Sequence, residues 1–391
     1  MKNKYLYFNL DPKKVYVNNT DELEIYQHER LIDLSNILGM SIDFIKNKPS
    51  TTKMEKYEQQ NYPVYLMRTS GTTNGKFQRY YYPEIPYIQI ENYHIHRIMH
   101  FNDLKQGNIV MMRPYNYSSI STGMSIASLG NDNQTFYCNY NYLTTKDEWI
   151  NLFKQIDRLN PILIYMRPAE FIMLNEILAE IGPRNFAVMF SCENLYKSTE
   201  TLAATYFTKV INKMRCWDGG LSFFTCRCGT WHINDELSYV ECIGDALIST
   251  DLYNTAHPFI RYWNGDTGTV GFKTCSCGIT GKHFTNFIGR NIECLHGNNC
   301  KIPGKIIETE IRIPLHTKDR RLLDFRIKQH KDKKITFSTI AELNADTKQM
   351  IINIFNTVLQ EQTVVRFEVI NLYANIKSKQ LLVTSELNDL I

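Results

Sequence analysis

No apolar run in the chain approaches the roughly 18 residues that a membrane-spanning helix needs, so no contact with a bilayer is expected. The opening stretch, MKNKYLYFNLDPKK, has charges but no apolar segment; it does not read as a signal peptide, and the cytosol is the expected compartment. Surplus charge is scarce as well. The 44 basic and 40 acidic residues leave a net charge of +4, and apart from a short basic run at 330–334 nothing suggests a nucleic-acid surface. Internal repeats and low-complexity tracts are missing. What is present is apolar: 43% of the 391 residues are hydrophobic and 12% aromatic, enough for a large core and more than one domain. The ten cysteines, without a secretory signal, point to thiols and metal ligands rather than disulfides.

Local patterns place the elements. Asn19 and Glu22 match a capping box, Leu31, Leu34 and Leu38 fall near helical spacing, and Gly39 supplies a stop, so a helix is expected over 19–39. Short apolar runs at Val110–Met112, Ile162–Tyr165 and Ala187–Phe190 read as buried strands. They alternate with helical patterns at Lys146–Leu159, Ala169–Ile181 and Ser198–Met214. Such alternation predicts an α/β fold, with mainly parallel sheets flanked by helices. Ligands of open sheets sit beyond the carboxyl ends of strands, which picks out the loops 69–75, 191–194 and 217–220. After Arg290 the pattern changes. Two alternating strands (Leu323 to Ile327 and Ile335 to Thr339), a helix through Met350–Leu359 and two more strands near Val365–Val369 and Leu381–Val383 predict a small α+β domain. The expected domains are therefore 1–290 and 291–391.

Two motifs carry chemistry. Met67–Pro83 reads MRTSGTTNGKFQRYYYP, with Thr69, Ser70, Thr72 and Thr73 around Gly71 and Gly75. Hydroxyls among glycines offer O–H and backbone N–H donors together, as polyphosphate oxygens require. It is not a Walker loop: Gly71 and Gly75 enclose too few residues, and Phe77 follows Lys76. A Ser/Thr/Gly-rich surface turn is the plain alternative. The second motif is CRCG at 226–229 with CSCG at 275–278, and His232 between them. Thiolate pairs on tight glycine knuckles, with an imidazole nearby, suit tetrahedral Zn2+. The candidates are Cys226, Cys228, His232, Cys275 and Cys277; the favoured set omits Cys228, which is the substitute for His232. An all-protein shell leaves no open position, so the metal would be structural. Ordinary free cysteines are the alternative, and Cys294 and Cys300 form a looser pair with no assigned role.

The loop at Thr69–Gly75 resembles the phosphate-binding loop of the adenylate-forming enzymes, usually written TSGTTG. Further matches follow in order: CENL at 192–195, CWDGG around Asp218, PFIRYWNGDTG at 258–268 and FIGRN at 287–291. The GD and GR segments are similar to those of the phenylacetate–CoA ligase branch. The resemblance implies ATP and Mg2+ as cofactors. Thr69, Ser70, Gly71, Thr72, Thr73 and Gly75 would hold the β- and γ-phosphates, and Cys192, Glu193 and Trp217 would lie in the loops that contact the nucleotide. Asp266 would bind the ribose, Arg290 would sit at the hinge, and Asp218 would help hold Mg2+. Tyr115, Asn116, Tyr117 and Thr122 would shape the acyl pocket, with aromatic core packing as the alternative. Lys379, in NIKSKQLLV, aligns with the lysine that reaches the active site from the C-terminal lid; Lys377 is its neighbour, and a solvated strand-end lysine is the plain reading.

The sequence departs from the family pattern. Met214-Arg215 stand at the Tyr-Gly position, Trp217 at the Thr position and Asn74 at a glycine, and Asn291 or Ile292 replaces the hinge aspartate. The resemblance implies ATP-dependent activation of a small carboxylic acid to an acyl-adenylate, with release of pyrophosphate. Transfer to a thiol (coenzyme A or a carrier protein) or to an amine would follow. No nucleic-acid partner is expected, and an oligomer is compatible with the sequence. The rival reading is a catalytically degenerate, zinc-stabilised nucleotide-binding protein of the same fold.

Overall fold

Cap chemistry brackets the first helix. Asn19 accepts the Glu22 N–H, and Gly39 takes the left-handed conformation (φ 67°) that ends the helix. The computed structural model describes residues 19–55, 63–68, 79–113, 123–128, 134–139, 145–192, 195–290, 294–298, 300–304, 307, 310–311, 314–315, 325–339, 341–370 and 383–387.

In chain order come α1 (Thr20–Leu38), α2 (Ile42–Asn47), β1 (Val64–Arg68), β2 (Arg79–Pro83) and α3 (Glu84–Phe101). Next are β3 (Asn108–Arg113), β4 (Gly123–Ser128), β5 (Gln134–Asn139), α4 (Lys146–Arg158), β6 (Pro161–Met166), α5 (Pro168–Ile181), β7 (Ala187–Phe190) and α6 (Lys197–Ala203). An antiparallel series follows: β8 (Val210–Arg215), β9 (Ser222–Thr225), β10 (Trp231–Ile233), β11 (Ser238–Ile243), β12 (Ala246–Asp251), β13 (Tyr262–Thr274) and β14 (Thr280–Arg290). The chain ends with β15 (Cys294–His296), β16 (Lys301–Pro303), β17 (Phe325–Gln329), β18 (Ile335–Thr339), α7 (Ala345–Leu359), β19 (Val365–Val369) and β20 (Val383–Ser385).

The chain divides into two compact units, 1–106 with 211–287 and 107–210 with 288–391. In the second, β3 pairs in parallel with β5 and β6, and β6 with β7, while β4 runs antiparallel to β5. The helices α4, α5 and α6 cover these strands; Trp149, Phe153, Phe171 and Leu178 pack against Val110, Ile164 and Phe190. The α4 helix starts with a full capping box, Thr145 with Glu148. The same unit carries a four-stranded sheet in the order β19-β18-β17-β20, with Ile351, Phe355 and Leu359 of α7 packed on Phe325 and Phe337. Two strands, a helix and two strands are therefore present as expected. In the first unit, strands run in the order β11-β12-β13-β14-β10-β9-β8, and α1 and α3 pack with Tyr80, Tyr82 and Phe259.

The helical pattern expected at Ser198–Met214 is corrected. The helix stops at Ala203, and 210–215 form β8, whose Lys213, Met214 and Arg215 face Phe224, Phe223 and Ser222 of β9. Val210 and Ile211 are β-branched, and pairing with β9 satisfies backbone groups that a lone helix end would leave open. Among the described residues no helix is long and apolar enough to cross a membrane.

Buried charge is a feature of the first unit. Arg97 pairs with Glu236, and both are buried. Asp235 is 2% exposed and accepts the Lys282 N–H at 2.7 Å. Burial pushes its carboxyl up to about 7, against the pull of Lys282. In the unfolded chain the group ionises near 3.8, so stability falls as pH rises from there to about 7 and stays reduced above. Asp235→Asn is expected to stabilise the fold by up to about 4 kcal/mol at pH 8 and to change little near pH 4. Urea unfolding at both pH values measures this; an equal effect at each would show that ionisation of Asp235 is not the cause.

Candidate active site

The strand β8 turns back into β9 through Cys216-Trp217-Asp218-Gly219-Gly220. The turn is tight, with the Cys216 N–H donating to the Leu221 carbonyl at 2.7 Å. Gly219 and Gly220 have φ of 94° and 77°, and a Cβ on Gly220 would fall 2.8 Å from the Asp251 side chain. Only glycine fits there. Asp218 is half-buried in this turn.

Asp266 is delivered by an irregularity in β13. Trp263 faces Ile248 and Thr267 faces Ala246, so β13 carries extra residues between the two pairs. Bulges of this kind re-aim side chains and recur beside active sites. The bulge turns Asp266 inward, to 1% exposure, where the Cys216 thiol donates to its Oδ2 at 3.5 Å. The Asp266 N–H donates to Asn264 Oδ1 at 3.0 Å, and the Trp263 indole N–H donates to the Asp266 carbonyl at 3.1 Å. The GD segment and the Trp217–Asp218 turn, well separated in sequence, thus meet.

Around Trp217 lies a set of residues that the sequence did not single out as a site. Tyr87 stacks on the indole at 4.5 Å, Tyr82 meets it edge-on at 5.1 Å, and the Arg215 guanidinium carbon lies 4.2 Å from the ring centre. Arg215 Nη2 donates to the Tyr82 hydroxyl at 3.3 Å and stands 3.9 Å from Asp251 Oδ2. Asp251 accepts the N–H groups of Tyr253 (2.9 Å) and Asn254 (3.1 Å) and the Tyr82 hydroxyl (3.1 Å). Burial raises its pKa, and Arg215 opposes the rise. The one hint in the sequence was the aromatic run Tyr80-Tyr81-Tyr82 at the end of the Met67–Pro83 stretch. Arg215 registered merely as a departure from a family pattern.

Other expected residues are placed singly. Cys192 follows β7 with φ 72°, exposed, its sulfur 3.3 Å from the Tyr165 hydroxyl. Arg290 closes β14, half-buried. Thr69, Ser70, Gly71, Thr72, Thr73, Gly75, Tyr115, Asn116, Tyr117, Thr122, Glu193 and Lys379 lie outside the described residues.

The cysteine knuckles are two turns of one design. In each the first cysteine N–H donates to the carbonyl four residues on (Cys226 to Thr230, 3.0 Å; Cys275 to Ile279, 2.8 Å) and the glycine N–H returns to that cysteine (2.8 and 2.9 Å). Gly229 and Gly278 have φ of 71° and 105°. One knuckle joins β9 to β10 and the other joins β13 to β14, and the pairing of His232 with His283 brings the two hairpins together. Cys226, His232, Cys275 and Cys277, all buried, place their ligand atoms within 4.8 Å of one another. The Cys226 and Cys275 sulfurs are 3.9 Å apart, and Cys277 Sγ is 3.4 Å from His232 Nε2. Zinc bonds of about 2.3 Å to sulfur and 2.0 Å to nitrogen in a tetrahedron give edges of about 3.8 and 3.5 Å, so the donor set fits that ion. Burial lowers His232 to about 3 and keeps the ring neutral, the form that ligates. Cys228 lies apart, exposed, accepting a hydrogen bond from Ser276 at 3.2 Å.

No family model and no curated protein matches the chain. Solved structures do. The chain is similar to 2-hydroxyisobutyryl-CoA ligase in the postadenylation state in complex with R3-HIB-AMP, at 15% identity and TM-score 0.67, over 98% of this chain and 94% of that one. The same ligase in the thioesterification state, with 2-HIB-AMP and CoA, matches at 14% identity and TM-score 0.55, over 97% and 93%. The anthranilate CoA ligase AuaEII in complex with anthranoyl-AMP matches at 8% identity and TM-score 0.51, over 90% and 71%. The chain shares the fold of these ligases.

Proposed function

We propose that this protein is an ATP-dependent ligase that joins a small carboxylic acid to AMP, releases pyrophosphate and passes the acyl group to a thiol or an amine. The contact of the Cys216 thiol with Asp266 carries this reading, because it joins the residue proposed to bind the ribose to the turn that holds Asp218. A carboxylate attacking an α-phosphate brings two negative groups together, so the protein must supply donors, cations and orientation. In this reading Asp266 accepts the ribose hydroxyls, Thr69–Gly75 donates to the β- and γ-phosphates, and Arg290 sits near the ribose. Asp218 helps hold Mg2+, which neutralises phosphate charge when bound. The acceptor is coenzyme A, a carrier-protein thiol or an amine, and residues 291–391 act as the lid. Cys226, His232, Cys275 and Cys277 hold Zn2+ in a structural role, clamping the two hairpins.

ATP–pyrophosphate exchange against a panel of acids tests the reading. Exchange should appear with at least one acid; binding of ATP without exchange for any acid would leave a nucleotide-binding protein instead. For Asp266→Ala, loss of a charged hydrogen bond to the ribose typically costs about 1.5–3 kcal/mol. ATP affinity should fall roughly 10- to 100-fold, with the melting temperature little changed. Calorimetric titration measures it, and unaltered affinity would place the ribose elsewhere.

A further inference from the structure

Strand alternation at the end of β8 sends Met214 and Cys216 into the apolar cluster around Phe223. Lys213 and Arg215 take the other face, where Lys213 meets Glu91 of α3 at 3.2 Å. The Arg215 side chain is 2% exposed. Beyond the Nη2 contact with Tyr82, its Nε and Nη1 atoms, which carry most of the guanidinium hydrogens, have no acceptor among the described residues. Asp251 faces Nη2 at 3.9 Å, beyond hydrogen-bond reach, and accepts instead from Tyr253, Asn254 and Tyr82. Buried donors without acceptors are costly, and a ligand that supplies the acceptor removes the cost.

The deficit at Arg215 is one of hydrogen bonds and not of charge. Lys213 faces Glu91, Arg97 faces Glu236, and Arg215 faces Asp251. A second carboxylate brought here would leave a buried negative charge unmatched, whereas a neutral oxygen would not. Arg215 also directly precedes the turn with Trp217 and Asp218, and its guanidinium carbon lies 4.2 Å from the Trp217 ring centre, so in the proposed reading a group bound at that turn adjoins the guanidinium.

We infer that the acid this protein activates carries a hydroxyl or keto oxygen on its acyl group, read by Nε and Nη1 of Arg215. The inference rests on the proposed adenylation, and its test separates the two. Butanoate, 3-hydroxybutanoate, 4-oxopentanoate and succinate, with the pair benzoate and 3-hydroxybenzoate, are compared by pyrophosphate exchange and by thermal stabilisation. Unsubstituted protein, Arg215→Met and Arg215→Lys are used. A site built to bond a substrate oxygen discriminates strongly against the analogue that lacks it. The oxygenated acids should therefore exceed their hydrocarbon partners by about 100-fold or more in kcat/KM. Arg215→Met should erase the preference through the KM for the acid with the KM for ATP unchanged, and Arg215→Lys should retain part of it. Exchange that runs as well on butanoate or benzoate, or best on succinate, overturns the inference and leaves adenylation standing. Stabilisation by the oxygenated acids that depends on Arg215, with no exchange, supports the site and overturns adenylation. Absence of both effects overturns both.

Discussion

With zinc at the proposed site, Cys275→Ser protein is expected to emerge metal-free and to melt about 10 °C or more below the unsubstituted chain. The physical basis is that the four ligand atoms converge from two hairpins that only the folded sheet brings together. No such site exists in the unfolded chain, so the free energy of metal binding is folding free energy. Loss of a structural metal belongs to the small class of changes that exceed about 4 kcal/mol. At about 2–4 °C per kcal/mol for a chain of some size, that gives the shift stated. Three buried sulfurs and a buried ring would otherwise remain without their common partner. Cys228→Ser is the control: its thiol is exposed and touches Ser276, so metal content and melting should stay unchanged. Elemental analysis and thermal unfolding read both. A metal-free unsubstituted protein with the same melting temperature, or equal loss of metal in Cys228→Ser, would sink the assignment.

The second large effect is expected at Lys379. We propose that it acts from the lid, by its resemblance to the C-terminal lysine of adenylate-forming enzymes. A lysine there brings a compact charge to the α-phosphate and acyl oxygens only when the lid is closed. Removing one such transition-state contact typically costs about 10²–10³ in rate, or ~2.7–4 kcal/mol. Lys379→Ala should thus all but abolish acyl-adenylate formation from ATP and acid. Transfer from a supplied acyl-AMP should survive, because that half-reaction needs the lid in another position. Lys377→Ala should behave as the unsubstituted enzyme. Exchange at the normal rate in Lys379→Ala would assign the lysine to the surface.

Features set by near neighbours were legible in the residues alone. Asn19, Glu22 and Gly39 mark both ends of α1 because a cap involves groups within one turn of each other. The runs at 187–190 and 335–339 read as strands because alternation and β-branching act locally. The knuckle motifs showed metal-type spacing for the same reason. The pattern at 198–214 misled because a helical period and a short strand look alike over a few apolar residues, and only pairing with β9 decides between them. His232 against Cys228 was likewise open in sequence. The register of β10 on β14 brings His232 to Cys277 while Cys228 is exposed, a placement no local pattern could give. Asp266 had a motif, yet its inward aim depends on a bulge that exists only relative to β12. Arg215 had none. Its environment joins the nearby Trp217 to Tyr82 and Asp251, which are remote in sequence, and a buried donor's want of an acceptor is a property of packing that no local pattern of residues encodes.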